Sequence, residues 1–130
     1  MKKERRIEDR TILILKEGDR VGIRKRPSKG LLAGLYELPG LEGHLSEEEV
    51  LAQVKAWGYA PLRILPLTGA KHIFSHVEWH MNGYALRVDE LEKHCTEEMI
   101  FAHPEEIQKT YSMPAAFEAY TRYVDIRLGQ

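Results

Sequence analysis

Two groups of side chains in this sequence invite metal chemistry: the carboxylates Glu37, Glu42, Glu47, Glu48 and Glu49, and the histidines His72, His76 and His80. Hard divalent cations take oxygen ligands, and two or three carboxylates on one helix face are what brings Mg²⁺ to a diphosphate. Glu47 to Glu49 have another use, because Ser46-Glu47-Glu48-Glu49 is a capping box that opens a helix. Carboxylates in that first turn complement the helix dipole whatever else they do. The histidines recur at a helical spacing; along a strand they would stand about 13 Å apart, too far to share a zinc ion. No metal site is expected from either group. Cys95, set among Glu92, Lys93, His94 and Thr96, lacks a nucleophile's partners and reads as a plain thiol. As the only cysteine, it allows neither an internal disulfide nor an iron–sulfur cluster built from several thiolates of this chain.

The run Lys71-His72-Ile73-Phe74-Ser75-His76 has the chemistry of recognition. The Ser75 hydroxyl both donates and accepts, Phe74 can pack or wedge against bases, and Lys71, His72 and His76 can meet phosphates or base edges. Two basic clusters could add phosphate contacts: Lys2, Lys3, Arg5, Arg6 and Arg10, then Arg24, Lys25, Arg26 and Lys29. At a net charge of −1 the chain as a whole does not attract a polyanion, so nucleic-acid binding has to be local. Charge runs of this kind otherwise form solvated faces.

A length of 130 residues suits one domain. No stretch of about 18 residues is free of charge, so no membrane span is expected. The basic start runs into Ile7-Glu8-Asp9 without an apolar segment, so no secretory signal is read and a cytoplasmic location is expected. Residues 1–10 read as a basic linker remnant and 11–130 as the domain. Thr11 to Leu15 and Arg20 to Arg26 predict a hairpin across Gly18-Asp19. Leu31 to Leu38 reads as a buried apolar loop that ends in a short strand before Pro39-Gly40. The capped helix carries Val50, Leu51, Val54 and Trp57 at helical spacing and stops at Gly58. Ala60 to Leu67 is a strand with prolines at either end. Lys71 to Met81 and Tyr84 to Asp89 flank Asn82-Gly83, a pair that suits a type I′ turn and predicts a second hairpin. Met99 to Ala102 is a short strand, and His103-Pro104-Glu105-Glu106-Ile107 one helical turn with proline at its start. Ala116, Phe117, Tyr120, Tyr123, Val124 and Arg127 form the apolar stripe of a terminal helix that begins near Ser112-Met113-Pro114. Tyr36, Trp57, Tyr120 and Tyr123 read as core aromatics. Helices and hairpins in this order make an α/β sandwich around a mixed sheet.

Strand, hairpin, apolar loop, Leu-Pro-Gly, capped helix and further strands in that order resemble the Nudix, or MutT-like, architecture, which implies an α/β/α sandwich with a mixed β-sheet. In that family glutamates along the helix hold the divalent metals, whereas Val54, Lys55, Ala56 and Trp57 stand there in this sequence. Two motifs narrow the resemblance. Arg24-Lys25-Arg26-Pro27 with Gly30-Leu31-Leu32-Ala33-Gly34-Leu35-Tyr36-Glu37-Leu38-Pro39, and Lys71-His72-Ile73-Phe74-Ser75-His76, are similar to runs in the C-terminal domain of MutY-type adenine DNA glycosylases. The likeness extends from about Thr11 to about Tyr123, with Tyr36 where tryptophan is commoner. It implies recognition of 8-oxoguanine opposite adenine in double-stranded DNA, in partnership with an N-terminal glycosylase domain. Lys71, His72, Phe74, Ser75, His76, Arg26 and Lys29 are then the lesion- and DNA-contacting residues, and no residue here is catalytic. The four-cysteine [4Fe-4S] cluster of that family belongs to its catalytic half, so no cofactor is expected in this chain.

Other readings compete with this one. A divergent Nudix hydrolase of an oxidised nucleotide would use Glu37, Glu42 and Glu47 to Glu49 as makeshift ligands, and a degenerate Nudix module would bind a nucleotide and regulate a partner. If Lys71 to Met81 were one regular strand, Ile73, Ser75, Val77, Trp79 and Met81 would share a core face and Ser75 would be buried. The recognition role needs a bend at Phe74 to His76 instead.

Overall fold

A computed structural model describes residues 5–90, 99–111, 113–125 and 128. Cys95 with its neighbours, Ser112 and Arg127 lie outside them. The run Thr11-Ile12-Leu13-Ile14-Leu15 is buried at every position, and a strand apolar on both sides needs cover on both sides. It forms the centre of β1 (Arg6–Glu17), which is followed by β2 (Arg20–Lys25), β3 (Tyr36–Glu37), β4 (Gly40–Glu42), α1 (Glu47–Ala56), β5 (Tyr59–Ile73), β6 (Val77–Glu90), β7 (Ile100–Ala102), α2 (Pro104–Lys109) and α3 (Glu118–Thr121). The sheet order is β3-β2-β1-β6-β5, with β4 on β1 and β7 on β2. β1 pairs parallel with β6 and antiparallel with β2, so the sheet is mixed.

One face stacks Leu13, Leu15, Tyr84, Leu86 and Val88 under Val50, Val54 and Trp57 of the α1 region. The other stacks Ile12, Ile14, Val21, Ile23 and Ala85 under Ile107, Ala116, Phe117, Tyr120 and Val124. This is the α/β/α sandwich expected of the sequence. The capping box is formed as read: the Glu49 amide donates to Ser46 Oγ (3.2 Å) and the Ser46 amide to the Glu49 carboxylate (3.1 Å). Gly58 has φ of +101° at the helix end, which a side chain would resist. The Gly18-Asp19 hairpin and the proline-led α2 are likewise in place.

Four expectations are corrected. Asn82-Gly83 is not a turn: β6 runs straight through it, paired with β1 on one side and β5 on the other. The glycine is there for packing, since a Cβ on Gly83 would sit 2.5 Å from Cε1 of Tyr120. The Tyr120 ring packs against that backbone and its hydroxyl donates to the Thr68 carbonyl at 3.0 Å. Asn82 is held by Thr11, whose hydroxyl is 2.8 Å from Oδ1. Second, β1 begins at Arg6, so residues 6–10 are part of the sheet rather than a linker. Third, the terminal helix is broken into a 3₁₀ turn, Ala115–Phe117, and the single turn of α3. Its apolar residues face the core as expected, but the Phe117, Tyr123 and Val124 amides bond three residues back rather than four. Fourth, the loop before β3 is only partly buried: Leu31 and Leu32 pack on the core whereas Leu35 is 47% exposed.

Gly83→Ala is expected to cost about 1–3 kcal/mol by forcing Tyr120 off the sheet, measured by urea denaturation; an unchanged stability would mean that the Tyr120 packing is slack. Burial pushes the Tyr120 phenol up to about 12, Tyr123 adding to the rise and Arg122 opposing it. The unfolded phenol ionises near 10, so the stability this tyrosine contributes is intact below pH 10 and is lost as pH climbs from 10 to 12. Melting temperature should fall more steeply across that window in the native chain than in Tyr120→Phe, and equal slopes would contradict the assignment.

Candidate nucleic-acid interface

β5 and β6 are joined by Phe74-Ser75-His76, a tight loop closed by the Phe74 amide donating to the Val77 carbonyl at 2.7 Å. The register pairs His72 with Trp79 and Ile73 with Glu78. The regular-strand alternative is therefore overturned: the loop inverts the alternation, and Ile73 and Trp79 lie on opposite faces. Ser75 and His76 are exposed, and neither of their amides is bonded among the described residues. β1 braces the loop from the side, with the Arg6 amide donating to the His76 carbonyl at 3.0 Å.

Beneath the loop is an aromatic stack. Phe74 meets Trp79 edge to face at 5.1 Å, His72 meets Phe74 at 4.7 Å, and Trp79 is backed by Phe117 at 5.7 Å. Trp79 is wholly buried. The Arg10 and Arg26 guanidinium groups lie 4.7 and 5.5 Å from the centroid of its ring, within cation–π range. Of the residues singled out from sequence, His72, Phe74, Ser75, His76 and Arg26 thus converge. Lys71 is exposed on the opposite face, across from His80. Lys29 is exposed in the loop before β3.

Trp79 and Glu37 were not legible from sequence as parts of this site, and Arg10 was read only as one of a basic cluster at the start of the chain. Glu37, its side chain 3% exposed, accepts from Arg24 Nε at 2.9 Å and from Arg26 Nη1 at 2.8 Å. Arg24 Nη2 also donates to the Gly40 carbonyl (2.8 Å) and Arg26 Nε to the Leu31 carbonyl (2.9 Å). The Arg24-Lys25-Arg26 spacing at the end of β2 and the position of Glu37 on β3 opposite Arg24 were the available signal, readable only once the register is known. With both oxygens of Glu37 held by guanidinium groups, its use as a makeshift metal ligand would require breaking two buried ion pairs. Glu49 is occupied by the helix cap. His72 and His80 project from opposite faces of the hairpin, and no group of three or more His, Cys, Asp or Glu among the described residues is placed to hold a metal ion.

Removing the carboxylate strands two partly buried cations, so Glu37→Ala should lose about 3–5 kcal/mol, read from chemical denaturation. A loss below about 1 kcal/mol would mean the pairs behave as exposed ones.

Residues 10–123 match the family model described as the NUDIX domain. The chain is 35% identical over 79 residues to the adenine DNA glycosylase of Mus musculus, a match that covers 56% of this chain and 15% of that protein. The chain thus spans a small part of the glycosylase it matches. Among solved structures it is similar to the C-terminal domain of mouse MUTYH in complex with human PCNA, at 26% identity and a TM-score of 0.70, covering 95% of this chain and 92% of that one. The MutT structures from Aliivibrio salmonicida and Vibrio cholerae share the fold at 16% identity and a TM-score of 0.66, covering 95% of this chain and 100% of that one. With this breadth of match over the sandwich and its loops, the chain belongs to the NUDIX domain family.

Proposed function

We propose that this chain is a non-catalytic reader of 8-oxoguanine opposite adenine in duplex DNA, serving the glycosylase domain of an adenine DNA glycosylase. The observation that carries this role is the Phe74-Ser75-His76 loop, tight, exposed at its tip and anchored from below on Trp79. Ordinary guanine shows acceptors N7 and O6 in the major groove. Oxidation at C8 turns N7 into an N–H donor and sets a carbonyl beside it. Ser75 Oγ can accept from that N–H, and the unbonded amides of Ser75 and His76 can donate to the new carbonyl. Lys71, His76, Arg26 and Lys29 supply phosphate contacts that fix position without reading sequence.

Flipping and excision of the adenine fall to the glycosylase domain, which in this proposal also carries the [4Fe-4S] cluster. The relation of the mouse MUTYH C-terminal domain to human PCNA adds protein surfaces to the partners proposed here. A cytoplasmic location completes the proposal.

The test is equilibrium binding of the chain to duplexes that differ only at C8 of one guanine opposite adenine. Affinity should be weak and should fall steeply with salt, since only local clusters meet phosphates. Ser75→Ala should cut the preference for the oxidised duplex by about 1 kcal/mol, while Phe74→Ala should weaken both duplexes through lost packing. An oxidised-to-normal ratio that Ser75→Ala leaves unchanged would remove Ser75 from recognition. No release of monophosphate from oxidised dGTP with Mg²⁺ or Mn²⁺ is expected, and metal-dependent turnover would overturn the non-catalytic role.

A further inference from the structure

Arg10 sits on β1, across from Glu42 on β4 and Met81 on β6. Its side chain is half-buried, with the guanidinium against the Trp79 ring. Gly40 makes room for it: a Cβ there would lie 3.0 Å from Arg10 Nη2. Among the described residues this guanidinium forms no hydrogen bond and no ion pair, and its Nε is sealed from solvent without an acceptor. Glu37 is the carboxylate that acts on it most strongly, yet both Glu37 oxygens are committed to Arg24 and Arg26. Burial accordingly pulls the Arg10 pKa below its ordinary value.

A partly desolvated cation packed on an indole, with Glu37 and Glu8 acting on it only at a distance and no acceptor bonded to it among the described residues, is short of a direct anion partner. The planar fork of a guanidinium matches the paired oxygens of phosphate. Arg26 completes the seat, because its Nε and Nη1 are used by Leu31 and Glu37 and its Nη2 is not. Both guanidinium groups contact the ring that carries Phe74, which links the open donors through one aromatic side chain to the root of the exposed loop. An acidic peptide would offer a similar oxygen pair, but the exposed Ser75 and His76 of the loop that Phe74 roots on the same ring favour a polyphosphate strand.

We propose that Arg10, with Nη2 of Arg26, seats one backbone phosphate of the DNA strand that bears the lesion. This rests on the DNA-reading function above and narrows the basic cluster at the start of the chain to one residue, Arg10 of β1, with a defined partner in Arg26.

The chain, Arg10→Gln, Arg10→Lys and Gly40→Ala are titrated with oxidised and normal duplexes at several salt concentrations. Arg10→Gln should weaken both duplexes roughly tenfold at low salt and reduce the slope of log K against log salt by about 0.9, the loss of one phosphate contact. The oxidised-to-normal ratio should hold. Arg10→Lys should keep the slope, having kept the charge, and Gly40→Ala should weaken both duplexes by a smaller factor as it displaces the guanidinium. An unchanged slope in Arg10→Gln with a lowered melting temperature would make Arg10 a structural cation on Trp79 and overturn the proposal. A parallel arm uses the mononucleotide 8-oxo-dGMP: if Arg10→Gln abolishes its binding while leaving duplex binding intact, the seat serves a free nucleotide and the proposal also fails. Preference for the oxidised duplex that is absent in the native chain, with the Arg10 slope change still present, would sink the reader function and leave the phosphate seat standing.

Discussion

The indole of Trp79 is buried on β6 between Phe117 on the core side and Phe74 on the loop side, with Arg10 and Arg26 against its ring. That one side chain joins the hydrophobic core to the exposed loop. Because Phe74 is seated on it, the loop tip is held out while its root is fixed, which is what a reader of base edges requires. The cations against the ring are there at a cost in desolvation, offset for Arg26 by the buried Glu37. Stability and recognition therefore share the same few residues.

The sheet explains how this geometry is kept. β6 continues through Asn82-Gly83 with partners on both sides, so the position of Trp79 is set by two ladders rather than one. β1 extends to Arg6 and bonds to His76 from the flank. A loop connected at both ends and braced at its shoulder loses less conformational entropy on binding than a free one. α1 is tied to one face of the sheet through its buried residues. Its glutamates crowd the first turn, and Val50 and Val54 turn into the core.

Local signals in the sequence were reliable where the interaction they describe is local. The Ser46 capping box, Gly58 and the Gly18-Asp19 turn each involve residues within a few positions, and each is found as read. Asn82-Gly83 failed because its turn preference competes with the Tyr120 ring, a packing partner far along the chain. Residues 6–10 look like a linker because their charged side chains lie at the end of the sheet, yet their backbone pairs fully with β6. Alternation alone argued for a straight strand through Ser75; only the resemblance to MutY-type glycosylases pointed to a bend there. The ion pairs of Glu37 and the placement of Arg10 depend on strand register, which no short motif specifies.

Recognition of the lesion by this chain requires that the oxidised base meet the Phe74-Ser75-His76 loop. The direct measurement is a chemical-shift map of the isotope-labelled chain titrated with the oxidised duplex and with its unoxidised counterpart. The amides of Phe74, Ser75 and His76 are expected to shift with the oxidised duplex and far less with the normal one, while those of α1 stay in place. Shifts centred on α1, or identical shifts at the loop for both duplexes, would contradict it.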